Sequence, residues 1–147
     1  MITYTFWVDG ACSGNPGPMG IGIVATCSNG VKVHSRDYAR PKGPGTNNRA
    51  ELLAVQDALL MVAEEHRATA TVVIVTDSQY VHGLLTLPWK AKENVELVAK
   101  LRELTRKFKG LNVKWVRGHD KCVENHRADQ LAVHGRQLPY LDGGSTA

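Results

Sequence analysis

Asp9, Glu51, Asp77 and Asp129 are the side chains of this sequence best placed to do chemistry. Asp9 closes a run in which Ile2, Tyr4, Phe6 and Val8 alternate with polar or mixed positions, the period-two signature of a strand. Asp77 closes TVVIVT (71–76), a continuous β-branched run suited to a buried inner strand. Glu51 falls in the first turn of a helix following Asn47 and Asn48, and Asp129 near the start of the last helix. If the two strands are parallel neighbours, Asp9 and Asp77 emerge at one carboxyl edge, where open α/β sheets place their sites. Four carboxylates in one cleft cannot all stay ionised, because neighbouring like charges raise each other's pKa. A pair of divalent cations relieves that repulsion, and hard oxygen donors suit Mg²⁺ or Mn²⁺. Two such ions about 4 Å apart can activate a water and stabilise the leaving oxygen of a phosphodiester.

Taken singly, each carboxylate has an ordinary reading. Glu51 can close a capping box with Asn48 as the cap. Asp77 before Ser78 can cap the next helix. Asp9 before Gly10 is common turn chemistry. Spacing alone does not bring the four together.

The elements that must position them follow from periodicity. Strand-like runs cover about residues 2–8, 21–27 and 31–39, with Ser28-Asn29-Gly30 as turn chemistry between the second and third. The Gly/Pro-rich stretch from Gly10 to Gly22 reads as an ordered turn. Leu52, Val55, Leu59 and Val62 fall on one helical face. After the 71–76 strand, a short helix begins near Ser78, and a longer one over about 94–109 carries Leu97, Leu101, Leu104 and Phe108. A last strand (113–116) and a last helix (about 124–135) complete the order βββαβα(α)βα. Strands one to three form an antiparallel meander, and the later strands return through helical crossovers as parallel neighbours. The expectation is an α/β fold: a mixed five-stranded sheet flanked by helices, one domain over 1–137, and a frayed tail over 138–147.

Composition sets bounds. At 147 residues, 43% hydrophobic and 22% charged, the chain suits one globular domain. No apolar run approaches the roughly 20 residues that cross a bilayer, and MITYTFWVDG has no secretory pattern, so a cytoplasmic protein is expected. Cys12, Cys27 and Cys122 are odd in number and lack a CxxC pair, which argues against a disulfide framework or a zinc site. Net charge is +4, but residues 1–77 hold 6 basic and 7 acidic side chains and residues 78–147 hold 12 and 7. That asymmetry suits a polyanionic partner.

Four segments, VDGACSGNPGPMG (8–20), TNNRAEL (46–52), TDSQYV (76–81) and VRGHDKCVENHRADQLA (116–132), resemble in order the motifs of the type 1 ribonuclease H family. The resemblance runs from about Thr3 to His134. It implies the ribonuclease H-like fold and hydrolysis of the RNA strand of RNA–DNA hybrids with two Mg²⁺ ions, Mn²⁺ substituting, to give 5′-phosphate and 3′-hydroxyl ends. By the same resemblance Asp9 bridges both ions, Asp129 helps hold the ion that activates water, and Glu51 and Asp77 hold the one near the leaving 3′-oxygen. His119, in the loop Gly118–Asn125, matches a mobile histidine that assists proton transfer or product release. Cys12, Asn15, Asn47, Asn48 and Gln79 match minor-groove contacts that read the hybrid through 2′-hydroxyls. Thr46 and Asn94 match a pocket for a phosphate of the DNA strand, and Asn125, grouped with the substrate-binding residues, and Arg127 match support for the Asp129 loop. No protein partner is implied, and a monomer is the default.

The sequence departs from the family pattern in two places. HGLLTLPWKAKE (82–93) is short where many relatives carry a long basic helix and loop, which implies weaker, more salt-sensitive hybrid binding unless Trp89, Lys90 and Lys92 substitute. Pro44 stands where a basic residue would precede Thr46. The first strand starts at residue 2, so no separate hybrid-binding domain is expected before it. Three other readings are weaker. A DNA-acting nuclease of the same fold fits TNNRAEL and GNPGP less well; a non-catalytic hybrid-binding module would lack a carboxylate, and none is missing. A purely structural α/β protein leaves the four motifs unexplained.

Overall fold

The computed structural model describes residues 1–118 and 122–141, so His119 and the end of the expected tail lie outside the described residues. Strands β1 (Thr3–Cys12), β2 (Gly17–Ser28) and β3 (Val33–Gly45) lead into helix α1 (Asn47–Leu60). A short 3₁₀ turn (Glu64–His66), strand β4 (Thr71–Thr76), helices α2 (Gln79–Thr86) and α3 (Val95–Thr105), strand β5 (Gly110–Trp115) and helix α4 (Val123–Arg136) follow. The sheet order is β3-β2-β1-β4-β5, antiparallel from β1 to β3 and parallel from β1 through β4 to β5. This is the mixed five-stranded sheet expected from the sequence.

The pleat divides the helices between its faces. Phe6 and Val8 of β1, Ile21 and Ile23 of β2, and Val72 and Ile74 of β4 point to one side. There they pack against Leu52, Val55 and Leu59 of α1 and Leu97, Val98 and Leu101 of α3. Each fully buried aliphatic side chain of this kind contributes about 1.5–3 kcal/mol of transfer free energy. The opposite face receives α4, whose buried Ala128, Ala132 and Gly135 are small enough for the helix to lie close to β2.

Several boundaries differ from the sequence expectation. The strands β1 and β2 run on to Cys12 and back from Gly17, leaving a turn of only Ser13–Pro16 where an ordered turn over 10–22 was expected. Asp9 therefore lies inside β1. β3 continues to Gly45 through Pro41 and Pro44, residues that read as breakers but are tolerated here because β3 is an edge strand with one side unpaired. α1 begins at Asn47 with Thr46 as its cap, two residues before the cap expected at Asn48. α3 stops at Thr105, and Phe108 stays buried without belonging to the helix.

Candidate active site

Parallel register brings Asp9 and Asp77 together. The last couple of the β1–β4 ladder is Trp7↔Val75, so Asp9 and Asp77 stand two residues further along their strands, at the same level and clear of the ladder. The end of β4 is fixed from β5: Val116 N donates to the Thr76 carbonyl at 2.9 Å, and Trp115 Nε1 to the Asp77 carbonyl at 3.2 Å. Ser78, not Asp77, is the cap of α2, its hydroxyl accepting from Val81 N at 3.1 Å.

Each remaining carboxylate arrives on a helix. Glu51 belongs to α1, which passes so near β1 that a Cβ on Gly10 would lie 2.4 Å from Ala50 C and Glu51 N. Glu51 does not close a capping box: its Oε1 accepts from Gly10 N at 2.5 Å. Asp129 comes from α4, tied to β3 by a 2.6 Å ion pair between Arg127 Nε and Asp37 Oδ2. Oxygen atoms of Asp9, Asp77 and Asp129 all lie within 4.8 Å of one another, and Glu51 stands beside this trio.

The electrostatics are those of crowded acids. Burial, a carboxyl–carboxyl hydrogen bond to Asp129 and the charge of Glu51 push Asp9 up to about 11. Burial raises Glu51 to about 7, aided by the charges of Asp77 and Asp129 and opposed by its bonds to Asp9 and Gly10 N. Both shifts favour the protonated acids, so binding of a cation would compete with protons here. Three hard oxygen donors within reach of one another fit a divalent cation better than any softer ion.

Other expected site residues form a connected rim. Cys12 Sγ donates to the carbonyls of Gly45 (3.1 Å) and Gly17 (3.4 Å), and Asn15 Oδ1 accepts from Asn47 N at 2.9 Å, binding the β1–β2 turn to the start of α1. Thr46 Oγ1 accepts from Arg49 N at 3.2 Å. Asn48 and Gln79 are exposed in the first turns of α1 and α2. Asn94, in the left-handed conformation with φ 54°, donates to the Tyr80 hydroxyl at 3.2 Å and accepts from Arg49 at 3.3 Å. Asn125 is only 3% exposed and accepts from Cys122 Sγ at 3.2 Å, so it braces the start of α4 from behind. Trp115, Tyr80 and Arg49 support the site without having been singled out from the sequence. Arg49 lies within TNNRAEL and Tyr80 within TDSQYV, whereas nothing local marks Trp115.

A sheet edge that gathers carboxylates from the ends of two strands and from two helices could hold divalent cations of the kind used in phosphodiester hydrolysis. The ribonuclease H family model matches residues 2–137. The chain is 37% identical to ribonuclease H of Maricaulis maris, over 92% of this chain and 94% of that one, and 40% identical to that of Roseobacter denitrificans, over 88% and 92%. Among solved structures it is similar to RNase H1 of the halophilic archaeon Halobacterium salinarum (TM-score 0.76, 28% identity, 92% and 98% coverage). It is also similar to LC11-RNase H1 in complex with an RNA/DNA hybrid (TM-score 0.76, 25% identity, 91% and 96% coverage). The chain belongs to the ribonuclease H family.

Proposed function

We propose that this ribonuclease H hydrolyses the RNA strand of RNA–DNA hybrids by in-line attack of water at phosphorus, with two divalent cations, leaving 5′-phosphate and 3′-hydroxyl ends. The observation that carries the reading is the approach of Asp9, Asp77 and Asp129 to within 4.8 Å at the carboxyl edge of the sheet. The cations are Mg²⁺, with Mn²⁺ as substitute; when bound, they supply Lewis-acid activation of water and charge stabilisation at the leaving oxygen. Asp9 would help hold both cations, Asp129 the one that activates water, and Asp77 with Glu51 the one that stabilises the leaving oxygen. His119 moves a proton or frees the product.

The rim supplies recognition. Cys12, Asn15, Asn47, Asn48 and Gln79 line the path of the minor groove, where amides and main-chain groups distinguish a 2′-hydroxyl from its absence. Thr46 and Asn94 take a phosphate of the DNA strand, with Arg49, bonded to Asn94, restoring a positive charge where Pro44 offers none. Asn125, one turn before Asp129 on α4, acts on substrate by holding the start of that helix. The short segment 87–93 adds to this surface. Trp89, 46% exposed, lines with Lys90, Lys92, Tyr80 and Asn48 a groove of about 600 Å³ that runs up to α1. Aromatic and basic side chains so interleaved suit a nucleic-acid strand.

Among the described residues no helix is long and apolar enough to cross a membrane. Three free thiols suit a reducing compartment, and the reading makes the protein a cytoplasmic monomer that needs no protein partner. The test is cleavage of one end-labelled 12–20-mer sequence, offered as hybrid, RNA duplex, DNA duplex and single strands, with Mg²⁺, Mn²⁺ or EDTA. Cutting confined to the RNA of the hybrid, and only with metal, is expected. Equal cutting of a DNA duplex would overturn it.

A further inference from the structure

We infer that Gly22 is a positioning residue for the metal site: its lack of a side chain sets the distance between Asp9 and Asp129, and so the size of cation that the pair accepts. The inference rests on the proposal that these two carboxylates share a cation.

Gly22 is the partner of Asp9 across the β1–β2 ladder. Its missing Cβ would point at α4, 2.1 Å from the Ala128 carbonyl oxygen, 2.5 Å from Ala132 N and 2.8 Å from Leu131 Cβ. The first two are helix backbone, which cannot rotate aside as a flexible side chain can. α4 therefore lies backbone to backbone on β2 at the rung that carries Asp9, and the atom in closest approach belongs to the residue before Asp129. Non-bonded carbon contacts settle near 3.5–4.0 Å, so a methyl group at position 22 must lift this part of α4 by about 1 Å or more.

A shift of that size matters to one cation more than another. Mg²⁺ needs near-octahedral oxygen at about 2.0–2.1 Å, whereas Ca²⁺ accepts about 2.3–2.6 Å in flexible geometry. A wider Asp9–Asp129 gap should therefore cost Mg²⁺ more than Ca²⁺.

Gly20, two residues earlier on the same strand, supplies the comparison. A Cβ there would lie 2.0 Å from Arg136 N and 2.4 Å from the Ala132 carbonyl oxygen. It obstructs the same helix equally, but at the end remote from Asp129.

The experiment is calorimetric titration of Mg²⁺ and Ca²⁺ into wild type, Gly22→Ala, Gly20→Ala and Asp9→Asn, with KM for the hybrid and metal-free Tm measured alongside. Both glycine variants should lower Tm. Gly22→Ala should weaken Mg²⁺ by about tenfold or more, within the range that outer-shell changes produce. It should weaken Ca²⁺ less and leave KM within about twofold, while Gly20→Ala keeps Mg²⁺ near wild type. If Gly22→Ala does not fold, Ala128→Ser adds a single oxygen at a fully buried position of α4 next to Asp129 and should give the same Mg²⁺-over-Ca²⁺ bias. Equal losses of Mg²⁺ in Gly20→Ala and Gly22→Ala, or no loss in the folded position-22 or position-128 variant, would overturn the inference. Undiminished Mg²⁺ binding in Asp9→Asn would instead overturn the site assignment beneath it.

Discussion

The amide of Gly10 donates a 2.5 Å hydrogen bond to Glu51 Oε1, so the residue that follows one carboxylate in β1 holds another carboxylate in α1. Local chain and distant helix are thereby fixed to each other at a single backbone group. The bond explains why Glu51 stands beside the Asp9–Asp77–Asp129 trio and still feels its charges.

Replacing Asp9 with Asn should reduce turnover by about a thousandfold or more, roughly 4 kcal/mol of barrier. Hybrid binding, measured in EDTA by fluorescence anisotropy, should survive. The variant should also show a higher metal-free Tm, because it removes an acid that burial and its neighbours disfavour in ionised form. Near-normal turnover at saturating metal would remove Asp9 from the catalytic set.

Metal-free stability should fall as pH rises. Asp9 and Glu51 both have folded-state pKa values raised above the ordinary carboxylate value near 4. The folded protein thus binds more protons than the unfolded chain, and the slope of stability against pH is negative. The loss begins as unfolded carboxylates ionise near pH 4, continues through about 7 for Glu51 and extends toward about 11 for Asp9. Calorimetry in EDTA should give a steeper decline in Tm from pH 5 to 8 for wild type than for Asp9→Asn. The Tm gained on adding Mg²⁺ should be larger at pH 8 than at pH 5. Parallel pH profiles for the two proteins would contradict the assignment.

Gly10→Ala should be among the most damaging small substitutions, costing about 2–4 kcal/mol. The new methyl group would lie 2.4 Å from α1 backbone, and relief can come only by moving α1 outward and stretching the Gly10–Glu51 bond. Urea denaturation measures the cost; a change below about 0.5 kcal/mol, the size of an ordinary surface effect, would mean that the helix yields freely.

Lys90 and Lys92 offer two charges to a phosphodiester strand beside an exposed Trp89. Changing both lysines to Ala should raise KM, leave kcat nearly unchanged and flatten the plot of log affinity against log salt by about one per lysine. Trp89→Ala should weaken binding by about 1–3 kcal/mol with little change in salt slope. An unaltered slope in the double-lysine variant would place the strand elsewhere.

The sequence revealed what depends on short-range pattern. The alternating run before Asp9 and the β-branched run before Asp77 identify two strands, and strand connectivity makes them parallel, so the carboxyl edge was legible before any coordinates. The far half of β3 was not, because Pro41, Gly43 and Pro44 carry turn signals that only an edge position overrides. The partner of Glu51 was equally hidden. An amide 41 positions earlier in the chain leaves no local trace, and the capping-box pattern offered a nearer, incorrect one. Asn94 lies outside the four motif segments, and its left-handed backbone with bonds to Tyr80 and Arg49 follows from the packing of three helices. The seats at Gly10, Gly20 and Gly22 are invisible for the same reason: a glycine reads as freedom in sequence and as proximity in three dimensions.

The long outer strand β3 bears on how this protein behaves in a crowd. An edge strand of 13 residues with one side unpaired is a template for strand addition by another chain. Here Pro41 and Pro44 withhold amide donors from any newcomer, while Arg36, Arg40 and Lys42 would set like charges against those of a second copy aligned along it. The same stretch that disguises the strand from sequence reading therefore works against edge-to-edge pairing of the sheet.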